Sequence, residues 1–174
     1  MSAAGRSRRS WGWHPLVDDW ARRIVADAGV RPGQFVLDIG AGDGALTTHL
    51  IEAGARVLAV EMHPGRARGL RARFADAPVT VVEADARTLR LPGRPFRVVA
   101  SPPYGISSDL LRVLLAPRSQ LIAADLVLQR AFVQRQVARA RGRRFALRAG
   151  LSLPRRAFAP PPQVDSAVLV VRRV

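Results

Sequence analysis

The chain has no cysteine, no lysine and no asparagine, and it has a single tyrosine. Without cysteine it can form no disulfide and no zinc site of the thiolate type. That absence suits a reducing compartment, and a cytoplasmic location is expected. No stretch approaches the roughly 18 consecutive apolar residues of a membrane span. The basic opening MSAAGRSRRSWGW leads into no apolar segment of the kind a secretory signal requires. Acid is scarce as well: 13 acidic residues stand against 28 basic ones, all arginine, for a net charge of +15. Arginine in place of lysine fits a GC-rich coding sequence and explains which cation is used, not why cations are in excess. The excess favours a polyanionic partner. No long amphipathic surface helix stands out, which favours RNA or DNA over an anionic membrane.

What is present fits one ordinary domain. The chain has 174 residues, 48% of them hydrophobic, enough to bury a substantial core. Short apolar runs at 35–40, 55–62, 79–85, 96–100 and 124–129 read as strands. Helical spacing appears at 44–54, 64–74, 107–116 and 130–144. Two further strands are expected at 146–153 and 166–173, with no helix between them. Alternating strands and helices with short loops give an α/β fold with a mostly parallel sheet of seven strands, closed by an antiparallel edge hairpin. Residues 1–10 are expected to form a flexible basic arm and 11–174 a single domain.

VLDIGAGDGALT (36–47) is the strongest local signal. A strand ends, three glycines let the backbone turn tightly against a ligand, and a helix follows. The spacing is G-x-G-x-G, not the G-x-G-x-x-G that cradles a pyrophosphate. It suits the loop that wraps the methionine part of S-adenosyl-L-methionine. Glu61 ends the second strand, where a carboxylate can accept both ribose hydroxyls. Asp85 ends the third, where it can accept an adenine amino group. Either acid alone is more often a solvated strand end. Together, after that glycine turn, they mark a crevice at the carboxyl edge of the sheet.

The fourth strand stops at Ser101-Pro102-Pro103-Tyr104. Prolines remove donors, so carbonyls here are free to face a ligand. The Ser101 hydroxyl and the Pro102 carbonyl can both accept from one amino group, and Tyr104 can stack on a base taken out of its helix. Methylating an exocyclic amine needs that arrangement. Its lone pair is delocalised into the ring, and two acceptors on the N–H bonds help localise it and hold it in line with the methyl donor.

GWHPL (12–16), DIGAGDGALT (38–47), VEMH (60–63), EADA (83–86), SPPYGISS (101–108) and FAPPPQVDSAV (158–168) occur in one order along the chain. In this the chain resembles the class I, Rossmann-like S-adenosylmethionine-dependent rRNA adenine N6-methyltransferases, nearest the erythromycin-resistance (Erm) type that acts on 23S rRNA. The resemblance implies that Gly40, Ala41 and Gly42 line the methionine moiety, that Glu61 holds the ribose with Met62 beside the adenine, and that Asp85 and Ala86 contact that adenine. It puts His14 and Leu16 next to the cofactor carboxylate. Ser101, Pro102 and Tyr104 serve the target base, with Phe158 as a nearby aromatic. The family usually has Asn or Asp where Ser101 stands, Gln at Trp13 and Phe at Pro15. It also normally continues into a C-terminal helical domain that helps hold RNA, which is expected to be absent.

Arg130, Arg135, Arg139, Arg141, Arg143, Arg144 and Arg148 fall in 19 positions without one acid. Any one of them is best read as solvated surface, but such a run self-repels unless an anion is bound. Arg135, Arg139, Arg141, Arg143, Arg144 and Arg148, with the RSRR at 6–9, are therefore expected to touch RNA phosphates in place of the missing domain. The leading expectation is a monomeric enzyme methylating N6 of an adenine in naked or precursor 23S rRNA, with resistance to macrolides, lincosamides and streptogramin B. The alternatives are a 16S rRNA adenine methyltransferase, a DNA amino-methyltransferase, and a non-catalytic RNA-binding protein of the same fold.

Overall fold

Short, nearly continuous apolar runs build the frame: β1 (Phe35–Ile39), β2 (Arg56–Glu61), β3 (Val79–Glu83), β4 (Phe96–Ala100), β5 (Leu121–Gln129), β6 (Phe145–Leu153) and β7 (Ser166–Arg173). The computed structural model describes residues 13–174. The arm expected at 1–10, with its RSRR, lies outside the described residues. The seven strands form one sheet in the order β3-β2-β1-β4-β5-β7-β6. The first five pair in parallel, and β7 runs antiparallel to both β5 and β6. The antiparallel pair is as expected, but β7 inserts between β5 and β6, so the exposed edge belongs to β6.

Successive strand residues feed two cores. Val36, Val57, Ala59, Val99, Val168 and Val170 pack on one face with Ile24, Leu46, Leu50 and Leu70. Leu37, Ile39, Val60, Val98, Leu126 and Leu169 pack on the other with Leu110, Leu111, Leu114 and Val133. The first face is covered by α1 (Asp18–Ala28), α2 (Ala45–Glu52) and α3 (Pro64–Arg73), and the second by α4 (Ser107–Leu114) and α5 (Arg130–Arg139).

Helix α1 lies outside the expected helices, although its signals are in the sequence. Asp18 and Asp19 occupy the first turn, Ala21, Ile24, Val25 and Ala28 form a buried stripe, and Gly29 ends the helix with φ +66°. Buried Arg97 of β4 donates to the carbonyls of Ala28 and Gly29, satisfying the end of α1 and tying it to the sheet. Two bounds also differ. β5 starts at Leu121, three residues before the expected 124, because β4 pairs with it from Leu121 on. α5 stops at Arg139, since Ala140 is already extended with ψ 120°. No helix among the described residues is long and apolar enough to cross a membrane.

Candidate active site

The five parallel strands all end at one edge. The strand order reverses between β1 and β4, since β1 pairs with β2 on one side and β4 on the other. Ligands of open α/β sheets bind at such a switch point. Two of the sequence motifs meet there. Gly40 follows β1 with φ +78°, and a Cβ on it would lie 3.2 Å from Pro102 Cα and from Pro103 Cδ, in the turn after β4. Only glycine allows both that conformation and that approach.

The glycine turn directs its own N–H groups into the protein. Those of Gly40 and Ala41 donate to the Val60 carbonyl at 2.8 and 3.0 Å. The Gly42 N–H donates to Glu61 Oε1 at 2.9 Å, and Glu61 Oε2 accepts from the His63 N–H at 2.7 Å. None of the three glycine-turn donors is left to hold a pyrophosphate. The buried Glu61 carboxylate is instead locked in orientation. Each oxygen has accepted one backbone N–H and keeps lone pairs for further donors.

Three adjoining cavities line this edge. The first is bordered by Trp13, Gly40, Glu61, Met62, Asp85 and Ala86, the second by Trp13, His14, Leu16, Asp38, Gly40 and Ala41. The third is bordered by Trp13, His14, Ser101, Pro102, Tyr104 and Phe158. Every residue expected to hold cofactor or base therefore borders one of three adjacent spaces, except Gly42, which lies behind the Trp13 indole. An adenosyl ligand fits the first two. They offer an apolar slot at Ala86 and Met62, a fixed carboxylate at Glu61, and a glycine cradle that a Cβ at Gly42 would fill, 2.7 Å from Trp13 Nε1.

Asp85 is more occupied than its sequence position suggests. Its carboxylate accepts from the Arg87 backbone and guanidinium, which hold it well below the usual carboxylate range. An adenine amino group has to share it. Asp38, not singled out from the sequence, faces the second cavity at 1% exposure. Burial pushes its carboxyl up to about 7. The Thr47 hydroxyl, donating at 2.7 Å, opposes that rise, while the charge of Glu61 adds to it. The DIG sequence at the strand end is its signal.

In the third cavity the Ser101 hydroxyl makes no hydrogen bond to a described residue, so its acceptor is free. Tyr104 is stacked near His14, with ring centroids 6.1 Å apart and planes 21° from parallel. Burial raises the Tyr104 phenol above its ordinary value, and the hydrogen bond with Ser166 only partly offsets this. The phenol is neutral at pH 7 and is no general base. Phe158 is buried and pairs through its backbone with Leu16, which ties the proline-rich segment to the N-terminal motif. His14 Nδ1 lies 3.1 Å from the Pro160 carbonyl and strengthens the same tie.

Arg130, at the start of α5, sits at the carboxyl edge and pairs with Asp165 at 3.4 Å, but the later arginines do not join this site. Helix α5 leaves the carboxyl edge and returns to the amino edge, so Arg139, Arg141, Arg143 and Arg144 lie across the sheet from the crevice. Arg144 donates to the Ala116 and Ser119 carbonyls, and Arg141 to those of Ala138 and Ala140. Arg135 lies over the Phe132 ring, and Arg148 is exposed on edge strand β6. Arg139 and Arg143 flank a groove floored by Leu115, Phe145 and Leu147, and neither has a partner among the described residues.

Residues 6–173 match the family described as ribosomal RNA adenine dimethylase. The chain is 36% identical to a probable ribosomal RNA small subunit methyltransferase A of Methanopyrus kandleri, over 94% of this chain and 63% of the relative. It is 34% identical to an rRNA adenine N-6-methyltransferase of Bacteroides fragilis, over 95% of this chain and 66% of the relative. The crystal structure of the 23S rRNA methyltransferase ErmE superposes with a TM-score of 0.80 at 34% identity, covering 91% of this chain and 69% of that one. The chain thus spans just under two thirds of the length of these two curated relatives, at 63% and 66%.

Proposed function

The chain belongs to the ribosomal RNA adenine dimethylase family, and from that premise we propose that it transfers a methyl group from S-adenosylmethionine to N6 of an adenine in 23S rRNA. Its fold is the class I methyltransferase fold. The observation that carries the reading is the contact between the two turns. Gly40 abuts Pro102 and Pro103, so the cofactor cradle and the Ser-Pro-Pro-Tyr turn share a wall. A methyl donor and an amine held there lie side by side.

Gly40, Ala41, Gly42, Glu61, Met62 and Ala86 would hold the cofactor, with Asp38 and Leu16 at its amino-acid end. Bound there, it supplies an electrophilic methyl group. The Ser101 hydroxyl and Pro102 carbonyl accept from the target N–H₂, orienting its lone pair. Tyr104 and Phe158 hold the base, and the stacking is worth about 1–3 kcal/mol per base. No side chain has to act as a strong base, because the amine proton becomes acidic once nitrogen is alkylated and can leave to water. Rate enhancement then comes from positioning and fixed dipoles.

The net charge of +15 supports RNA as partner. The protein would work as a cytoplasmic monomer, and modified 23S rRNA would shield the ribosome from macrolides, lincosamides and streptogramin B. A second reading, methylation of 16S rRNA, is favoured by the likeness to the small-subunit enzyme. Incubation with labelled cofactor and, separately, naked 23S rRNA, 30S subunits and duplex DNA tests both. Label in 23S rRNA alone supports the first, and label in 30S subunits alone replaces it with the second.

A further inference from the structure

Asp85 and Arg87 both border the first cavity, on the short turn that follows β3. The Asp85 carboxylate caps that turn, its Oδ1 accepting from the Arg87 backbone N–H at 2.9 Å. The Arg87 side chain then folds back onto the same carboxylate. Its Nε lies 3.1 Å from Oδ1 and 3.2 Å from Oδ2, and its Nη2 donates to Oδ2 at 2.7 Å.

A carboxylate accepts at about four lone-pair sites. Arg87 meets each oxygen of Asp85 twice, so it claims all of them. Glu61, on the neighbouring strand, is different, since each of its oxygens accepts one backbone N–H. Arg87 also holds the Asp85 carboxyl ionised at neutral pH, so Asp85 has no proton to donate. An amino group that arrives here finds no unclaimed acceptor. The turn offers donors instead, because Arg87 Nη1 has no partner among the described residues. The contact is also easy to open. The Arg87 side chain is 52% exposed and its partner lies two residues away, so the guanidinium can turn out to water without moving the strand.

We propose that Arg87 determines how this site reads the 6-position of the cofactor's purine, by competing with a 6-amino group for Asp85 and by donating to a 6-oxo group. This rests on the S-adenosylmethionine reading above, with Asp85 beside the adenine. A bare carboxylate at that place would accept from a 6-amino group and reject a 6-oxo group, which sets two acceptors face to face. With Arg87 on it, the carboxylate loses most of that discrimination. An exposed ion pair contributes little, so the competition weakens adenosyl binding by about fivefold at most.

The test uses the full chain with S-adenosylhomocysteine and S-inosylhomocysteine, and reads both affinities by calorimetry. The parent protein is expected to bind the two within about threefold of each other. Arg87→Met keeps the apolar stem and removes the guanidinium. It is expected to bind the adenosyl ligand about two- to fivefold more tightly and the inosyl ligand more weakly, opening the ratio to about tenfold. Asp85→Ala combined with Arg87→Met should abolish the adenosyl gain. Loss of a positive charge alone would shift both ligands alike, so the opposite shifts are the signature. Unchanged or weaker adenosyl binding in Arg87→Met, or the same shift for both ligands, would overturn the role of Arg87 and leave the cofactor reading intact. If the parent protein binds neither ligand, the cofactor reading fails and this inference with it.

Discussion

The Tyr104 hydroxyl lies 2.6 Å from the Ser166 hydroxyl. This one hydrogen bond joins the turn after β4 to the start of β7, and so joins two motifs 62 positions apart. It fixes the ring proposed to stack on the target base. Tyr104→Phe and Ser166→Ala should each lower single-turnover methylation several-fold at saturating RNA. The double variant should be no worse than the poorer single, since both remove one interaction. Tyr104→Ala should cost more, by about five- to a hundredfold, because the stacking surface goes too. Equal activity in Tyr104→Ala and the parent protein would remove Tyr104 from the site.

Ser101 is the polar residue of the Ser-Pro-Pro turn. It stands where the family usually has Asn or Asp, and its hydroxyl is unclaimed among the described residues. Ser101→Asn should keep or raise activity on adenine, and Ser101→Ala should lose about a hundredfold in kcat, the cost of one preorganised polar contact. Complete loss in Ser101→Asn would mean that the pocket is built differently from those of the family.

Asp38 should make cofactor binding depend on pH. Its carboxyl is raised to about 7 by burial, so in the free protein it is ionised only above that pH. A ligand ammonium beside it favours the charged form. Affinity for S-adenosylhomocysteine should rise between pH 6 and 8 with release of a proton, seen as buffer-dependent heat in calorimetry. Stability of the free protein runs the other way. The folded pKa lies above the ordinary 3.8, so this group's contribution is fully present below about 3.8 and is lost as pH rises through about 7. Asp38→Asn should flatten both trends.

Arg139, Arg143 and Arg148 are the members of the arginine run without a partner among the described residues, and Arg139 and Arg143 stand together at one groove. Arg144 brackets the Ala116 and Ser119 carbonyls, and reversing its charge would test folding more than binding. Arg139→Glu with Arg143→Glu should weaken RNA binding and lower the slope of log affinity against log salt by about two, one unit for each phosphate no longer neutralised. Cofactor affinity should not change. An unchanged slope would show that this side of the sheet does not touch RNA.

The strands are legible in the sequence because they are short, nearly continuous apolar runs, buried on both faces, and the crevice because three strand ends carry Gly, Glu and Asp. Helix α1 is harder to see because it follows directly on the GWHPL motif, although its buried stripe is regular. The insertion of β7 between β5 and β6 is not legible, since local pattern does not state which neighbour a strand chooses. The reach of Arg87 onto Asp85 is a local contact, two positions apart, set by a side-chain conformation that residue types do not fix; the tie from Tyr104 to Ser166 depends on tertiary placement. So does the position of the arginine run, because composition does not say to which edge of a sheet a helix returns.

Methylation of 23S rRNA is tested most directly by nucleoside mass spectrometry of that RNA after incubation with the protein and isotopically labelled S-adenosylmethionine. Labelled N6-methyladenosine is expected, at a much lower rate in Tyr104→Ala and retained in Ser101→Asn. Labelled cytosine, label at another adenine position, or no label in 23S rRNA while another substrate is modified, would contradict it.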